Sequence, residues 1–346
     1  MNHRILQKIL IVVFVFSVVC ISKSAFAFTI SPIKFELNGD PGQTVSEEIT
    51  LINENDTDEV FYTSYANFEA QGETGNPNFV DPKEGLGTWM STYDTIKLGP
   101  KEVKKIPLSI AIPANAVPGG YFTAVFWGTE PPSENMVVIG ARTGLLVLLR
   151  VNGDIDEKGG IIEYDTLQSK NFYTALPVSF YYRFQNSGGD RIKPEGDIVI
   201  KHILGYTRAR VPANIAEGNI LPTQTRRFET TWQGKDGSNN VADVENLGFL
   251  AQAKNQWSNF AFGYFKAELL LRYGADNNLH DTKTVGFWVI PWQLLLLILI
   301  IAGLVLFVLK KIIHQHNKAL IERVRAQLQK ESRDQSNENP SSSAQL

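Results

Sequence analysis

The sequence is almost without thiols. One cysteine, Cys20, occurs in 346 residues, and it falls in an N-terminal run that reads as a removable leader. The mature chain is therefore expected to hold no cysteine, which excludes disulfides, thiol chemistry and cysteine-built zinc sites. Lipidation at Cys20 is excluded too, because Val19 is not the small residue such a site needs. Catalytic signatures are equally scarce. The G-x-S-x-G elbow, the H-E-x-x-H zinc helix and the G-x-x-x-x-G-K-[ST] phosphate loop are all absent. Ser31-Pro32-Ile33-Lys34 fits S-x-x-K in letters only: Pro32 in a strand pattern denies the required helix, and Lys283-Thr284 runs on to Val285 rather than Gly. Asp236-Gly237-Ser238-Asn239-Asn240 starts like a calcium loop, but Val241 and Leu247 stand where Gly and Glu are needed, so it reads as a turn. His314 and His316 sit on different faces of a helix, and His202 and His280 are isolated. Leu221-Pro222-Thr223-Gln224-Thr225 lacks the Gly of a wall-sorting signal. The expectation is a protein that is not an enzyme, with no catalytic residue, cofactor or metal site.

Two apolar segments fix the expected topology. At the N-terminus, Arg4 and Lys8 precede the apolar run Ile9–Ile21, and Ala25-Phe26-Ala27 offers small residues for cleavage. Residues 1–27 thus read as a signal peptide. The second segment is 287–309, uncharged from Leu294 to Leu309 and long enough to cross a bilayer as one helix. Trp288 and Trp292 are placed at one membrane interface, and Lys310 and Lys311 at the other. Pro291 is tolerated in the first helical turn. By the positive-inside rule the tail, 310–346, is cytoplasmic and everything before the span is outside, at the cell membrane. In the tail, Ile313, Leu320, Val324 and Leu328 form a helical stripe to about Lys330, and from Ser332 the Ser/Asn/Gln-rich end reads as disordered.

Charge follows this division. The chain carries −3 overall. Arg4, Lys8 and Lys23 put +3 in the leader, and the tail nets +3 from seven basic against four acidic residues, so the part between carries −9. An acidic exported portion argues against nucleic acid and polyanions as partners.

Between Phe28 and Val285 the pattern is short strands and turns. Pro107–Ile112 places Leu108, Ile110 and Ile112 on one face, and Tyr121–Trp127, Gly144–Val151, Val178–Phe184, Asp197–Ile203, Arg226–Trp232 and Phe265–Tyr273 have strand character. Turn-forming clusters separate them, and no amphipathic helices intervene, so the expected class is all-β: two tandem β-sandwiches, 28–155 and 156–285, then one transmembrane α-helix. An internal echo supports two units. Leu98-Gly99-Pro100 and Gly120-Tyr121-Phe122 are matched by Ile220-Leu221-Pro222 and Gly263-Tyr264-Phe265, and Asn53 by Asn186. The Pro-to-Tyr interval is 21 residues in the first copy and 42 in the second. The second unit is therefore expected to carry an insertion, 236–262.

Ser31-Pro32, Pro41-Gly42, Asn53, Pro118-Gly119-Gly120-Tyr121-Phe122 and the strand Gly144–Val151 resemble the first domain of the Gram-positive WxL-interacting proteins. Asn186, Leu221-Pro222, Arg227, Phe228, Trp232 and Gly263-Tyr264 resemble that family's second domain. The resemblance implies two immunoglobulin-like sandwiches, the first binding peptidoglycan and the second a partner protein, above a membrane anchor. The leading functional expectation is a cell-surface binding or scaffold protein engaging a peptidoglycan-like polymer, a partner surface protein, or both. The alternative is a chaperone-like or transport-associated subunit that pairs a client strand at a sheet edge. Trp257 and Phe260, large aromatics in the insertion, are the candidate partner-binding anchors.

Overall fold

The computed structural model describes residues 28–131, 142–234 and 247–338, with side chains to 333. The expected leader, residues 132–141, residues 235–246 (which hold the start of the expected insertion and the turn read at 236–240) and residues 339–346 lie outside the described residues.

The chain is mostly strand, with one long helix at its C-terminal end. In chain order it begins with β1 (Phe28–Ser31), β2 (Lys34–Gly39), β3 (Thr44–Asn53), β4 (Glu59–Gln71) and β5 (Asn76–Val80). A single turn of helix, α1 (Leu86–Trp89), leads to β6 (Met90–Ser91), β7 (Thr95–Leu98), β8 (Val103–Ala111), β9 (Gly119–Gly128) and β10 (Arg142–Val151). These strands form two sheets, ordered β1-β3-β8-β6 and β2-β10-β9-β4-β5, with β7 on β4. Alternation supplies the filling. Ile49 and Leu51 of β3, Ile106, Leu108 and Ile110 of β8, and Leu145, Val147, Leu149 and Val151 of β10 close one core around Trp127. The chain crosses from one sheet to the other at Ser31-Pro32: β1 runs antiparallel to β3, and β2 parallel to β10.

The second set follows residues 152–158: β11 (Gly159–Thr166), β12 (Phe172–Tyr173), β13 (Val178–Asn186), β14 (Glu195–His202), β15 (Thr207–Pro212), β16 (Thr225–Trp232), α2 (Phe249–Ser258), β17 (Gly263–Tyr273) and β18 (Leu279–Val289). Its sheets are β11-β13-β16 and β12-β18-β17-β14-β15. A second core forms between them from Phe180, Tyr182 and Phe184, facing Ile198, Ile200, Phe265, Leu269 and Phe287.

The internal echo has a physical basis. Asn53 and Asn186 are both fully buried where a strand ends. The Asn53 amide donates to Thr57 O and Gly99 O, each at 2.8 Å, and its Oδ1 accepts from Asn55 N at 3.0 Å. Asn186 repeats this: its amide donates to Asp190 O (2.7 Å) and Ile220 O (2.9 Å), and its Oδ1 accepts from Gly188 N (2.9 Å). Gly99 and Ile220 belong to the two matched Pro-led segments. Each asparagine thus ties its own turn to the segment feeding the next strand, satisfying buried backbone groups that would otherwise cost stability.

Two expected boundaries are corrected. Phe287, Trp288 and Val289 are not part of the apolar helix but the last three residues of β18, because Phe287 and Val289 fill the second core. The helix α3 begins only at Trp292 and runs to Glu338. The helix also continues past Lys330 through 332–338, where disorder was expected. Gln, Glu and Arg favour helix there, and no proline falls between Pro291 and Pro340. Within α3 the stretch Trp292–Arg333 is long and apolar enough to cross a membrane, by length and composition. The expected insertion carries α2, which packs on the start of α3: Gln256 donates to Gln293, Gln293 donates to Gln252, and Leu294 N donates to Gln256 Oε1 at 2.9 Å.

Candidate functional site

The two cores meet across charged and backbone contacts. The β4–β5 hairpin reaches out of the first set so that the Glu73 carboxylate receives Arg183 of β13 in a two-pronged pair, Nε to Oε2 at 2.8 Å and Nη2 to Oε1 at 2.5 Å. Arg183 also holds Glu163 at 3.0 Å, and Arg227 N donates to Glu73 O at 2.9 Å. The Arg183 hydrogen bonds hold Glu73 below the usual carboxylate range. Glu163 is held low chiefly by the Tyr181 hydroxyl, then by Arg183. On the other side of the junction Arg150, near the end of β10, pairs with Asp190 at 2.8 Å and Glu157 at 2.9 Å, and Gly120 N donates to Gly189 O at 3.0 Å.

Between these contacts lies a cleft of about 220 Å³. Its apolar wall is Phe68, Leu146 and Leu148 from the first set and Leu221 from the second. The reason is the sequence of β10. Its odd-numbered residues from Leu145 to Val151 enter the core, and its even-numbered Leu146 and Leu148 are apolar as well, so the outer face of the strand is also hydrophobic. Lys34 and Arg226 provide the cleft's positive charge. Lys34 is committed to Glu36 at 2.6 Å. Burial pushes the Glu36 carboxyl up, but its hydrogen bonds from Lys34 and Asn219 outweigh that and hold it low.

Arg226 is different. Its Nη1 donates to Asn219 O at 2.8 Å and its guanidinium lies 5.2 Å over the Phe228 ring, but its Nε is buried without an acceptor, and it makes no ion pair among the described residues, although Glu69 and Glu217 also line the cleft. Burial pulls the guanidinium down from its ordinary value, though arginine keeps its proton. The group is clasped between glycines of the two sets: a methyl on Gly75 would stand 2.3 Å from Arg226 Cζ, and one on Gly218 2.6 Å away. An unpaired, partly desolvated guanidinium beside an apolar wall suits a carboxylate.

The same strand has a partly free edge. β2 pairs with β10 only from Leu146 onward, so among the described residues no strand is paired with Arg142–Leu145 on the side away from β9, although β1 runs close to β10. Exposed N–H and C=O groups there are a template for an added strand.

None of the residues expected to bind a partner or the membrane lies at this cleft. Trp257 is 70% exposed on α2 and Phe260 is 48% exposed just after it. Trp288 is on β18 against Tyr264, with ring centroids 5.4 Å apart, and Trp292 opens α3 against Phe249 at 6.0 Å. Lys310 and Lys311 are exposed midway along α3. Of the residues carried by the family resemblance, Phe228 and Trp232 are core, and Arg227 stacks 4.2 Å over Tyr181. Arg226, Leu146 and Leu148 were missed. The signal available was the doubly apolar run Leu145–Leu149, which a strand with one wet face would not show.

No family model matches the chain, and no curated protein does. Among solved structures, it is similar to the class 5 fimbriae chaperone CfaA, at 13% identity over 75% of this chain and 98% of that one, with a TM-score of 0.38. It is similar also to a chain of the CsuC–CsuE chaperone–tip adhesion subunit pre-assembly complex of Acinetobacter baumannii (10% identity, 75% and 97%, TM-score 0.34) and to the E. coli chaperone DraB (9%, 76% and 97%, TM-score 0.31). At these scores the likeness decides neither ligand nor role.

Proposed function

We propose that this chain is a membrane-anchored protein-binding module that captures an extended apolar segment of a partner protein at the free edge of β10, with a carboxylate of that segment on Arg226. The observation that carries this reading is that the unpaired start of β10 adjoins, at Leu146, an apolar cleft wall beside a half-buried guanidinium whose Nε has no acceptor. It favours strand capture, chaperone-like or otherwise, over a scaffold for wall polymer. Glycans are gripped by exposed aromatic faces edged with polar groups, and the exposed Trp257 and Trp288 do not line the cleft. The two sets of strands are read as immunoglobulin-like sandwiches in tandem. The helix α3 is read as spanning the cell membrane, with Phe28–Val289 outside, Lys310 and Lys311 in the cytoplasm, and residues 1–27 removed on export.

The test uses the full chain in detergent and peptides of alternating apolar residues, with a free or an amidated C-terminal carboxyl. Charge-assisted hydrogen bonds contribute about 1.5–3 kcal/mol. Binding of the free-acid peptide should therefore weaken at least about tenfold on amidation, and by a similar factor in Arg226→Met. Equal binding of both peptides by both proteins, or none by the parent, sinks the reading. Protease added to spheroplasts should digest the strand-rich part and spare a tail epitope; the opposite pattern inverts the topology.

A further inference from the structure

The end of the second sheet from which α3 departs is apolar, and among the described residues only α2 lies beside it. Register puts His202 of β14, Phe265 of β17 and Phe287 of β18 at one level. Beyond that level lie the β14–β15 hairpin tip with Ile203, Leu204 and Tyr206, then Phe262 and Trp288, all exposed. Gly205, at a φ of +88°, makes the sharp turn that presents Leu204, which is 79% exposed. The tip is fastened by Ile203 N to Tyr264 O at 2.9 Å and by His202 to Phe262 O at 3.2 Å. Beside it, α2 turns Leu250 and Trp257 outward, with Lys254 between them on the same helical face.

Among the described residues, the segments that form this end are 168–176, 202–208, 249–266 and 286–292. They contain no aspartate or glutamate, only basic residues such as Lys170, Arg208, Lys254 and Lys266, in a chain with 36 acidic residues. An apolar, acid-free, mildly basic surface with exposed tryptophans has the composition of a lipid interface.

Length fixes where that surface sits. Only Ile290 and Pro291 separate β18 from α3, and both neighbours are tied down: Ile290 N donates to Tyr173 O at 2.9 Å, and Trp292 N to Ile290 O at 2.8 Å. From Trp292 to Lys310 the helix offers about 18 residues, or about 27 Å, against a hydrocarbon layer of about 30 Å. The membrane must therefore reach up to Trp292, leaving no linker between the hydrocarbon and the sheet.

We infer that the hairpin tip 203–206, the residues around Phe262 and Trp288, and the outer face of α2 form a seat embedded in the headgroup layer of the outer leaflet. It holds the strand-rich part at a fixed angle to the membrane. Trp257 and Phe260 serve this contact with lipid rather than a protein partner. The inference rests on the reading of α3 as a membrane span.

The test reconstitutes the full chain, carrying Cys20→Ser, into vesicles of equal phosphatidylcholine and phosphatidylglycerol. Nitroxide is placed singly at Leu204→Cys, Leu299→Cys and Ile215→Cys, positions 79%, 68% and 69% exposed, where a label displaces no packing. Ile215 lies at the opposite end of the β14–β15 hairpin and is the aqueous reference. Accessibility to oxygen against a nickel chelate should place the Leu299 label deep in the hydrocarbon, the Leu204 label roughly 5–10 Å below the headgroup surface and the Ile215 label in water. A Leu204 label as aqueous as the Ile215 label, with Leu299 deep, overturns the seat and leaves the span intact. An aqueous Leu299 label overturns the span, and the seat with it.

Discussion

Asn186→Ala removes one amide and unties three backbone groups at once. Asp190 O and Ile220 O lose their donor and Gly188 N loses its acceptor, at a site with no solvent exposure. At about 1 kcal/mol for each net hydrogen bond, the loss is about 3 kcal/mol, or a fall of roughly 10 °C in the melting temperature of the second set of strands. The effect should not stop there. The turn that Asn186 holds also carries Asp190, the partner of Arg150, and Gly189 O, the acceptor for Gly120 N, so the junction between the cores loosens too. Hydrogen exchange on the full chain in detergent separates the effects: protection should fall most in β13 and β16 and less in β9 and β10. Asn53→Ala, whose side chain bonds within the first set to Thr57, Gly99 and Asn55, should lower protection in β3 and β8 alone. Asn186→Asp sharpens the case. Its carboxylate would face two carbonyls, which raises its pKa, so its penalty is full at neutral pH and eases as acidification returns a proton that can donate. A loss below about 1 kcal/mol in Asn186→Ala, or equal losses in both sets, would refute the account of these turns.

Further expectations follow from the cores and the junction. Leu149→Ala, fully buried in β10, should cost about 3 kcal/mol in denaturant unfolding, and a cost below 1 kcal/mol would mean the first core is loosely packed. Acid should open the junction. Glu73 and Glu163 have folded pKa values below the ordinary 4.5, so what they contribute is present above that value and is lost as pH falls through the folded one. Proteolysis within 152–158 should therefore accelerate below about pH 4.5, and a flat rate down to about pH 3.5 would show that the ion pairs do not hold the junction.

The strands were legible because their burial is one-sided and alternates: Ile106, Leu108 and Ile110 announce β8 before any coordinate is known. The repeat was legible because a buried asparagine and its partner segment are a local chemical need, met twice. The start of the apolar helix was not. Phe287-Trp288-Val289 is as hydrophobic as the span that follows, and only the core contacts of Phe287 and Val289 assign it to a strand. The cleft was hidden for another reason. Arg226 acquires its meaning from Gly75 and Phe68, about 150 residues away, and no local pattern marks a charge that lacks a partner.

The crossing of the chain at Ser31-Pro32 gives any ligand of β10 a resident rival. The segment 28–39 is one piece of chain lying on both sheets, antiparallel on β3 and parallel on β10. It stays next to the edge by connectivity, at a local concentration no free peptide matches. On the proposed reading, an incoming strand alongside Arg142–Leu145 displaces no paired residue of this segment. To go deeper, past Leu146, it must peel β2 away and strain β1 off β3 as well. On the proposed reading the chain's own N-terminal strand sets a ruler on the sheet: a segment that stops at Leu146 displaces no paired residue, and a longer one meets a toll that rises with every residue.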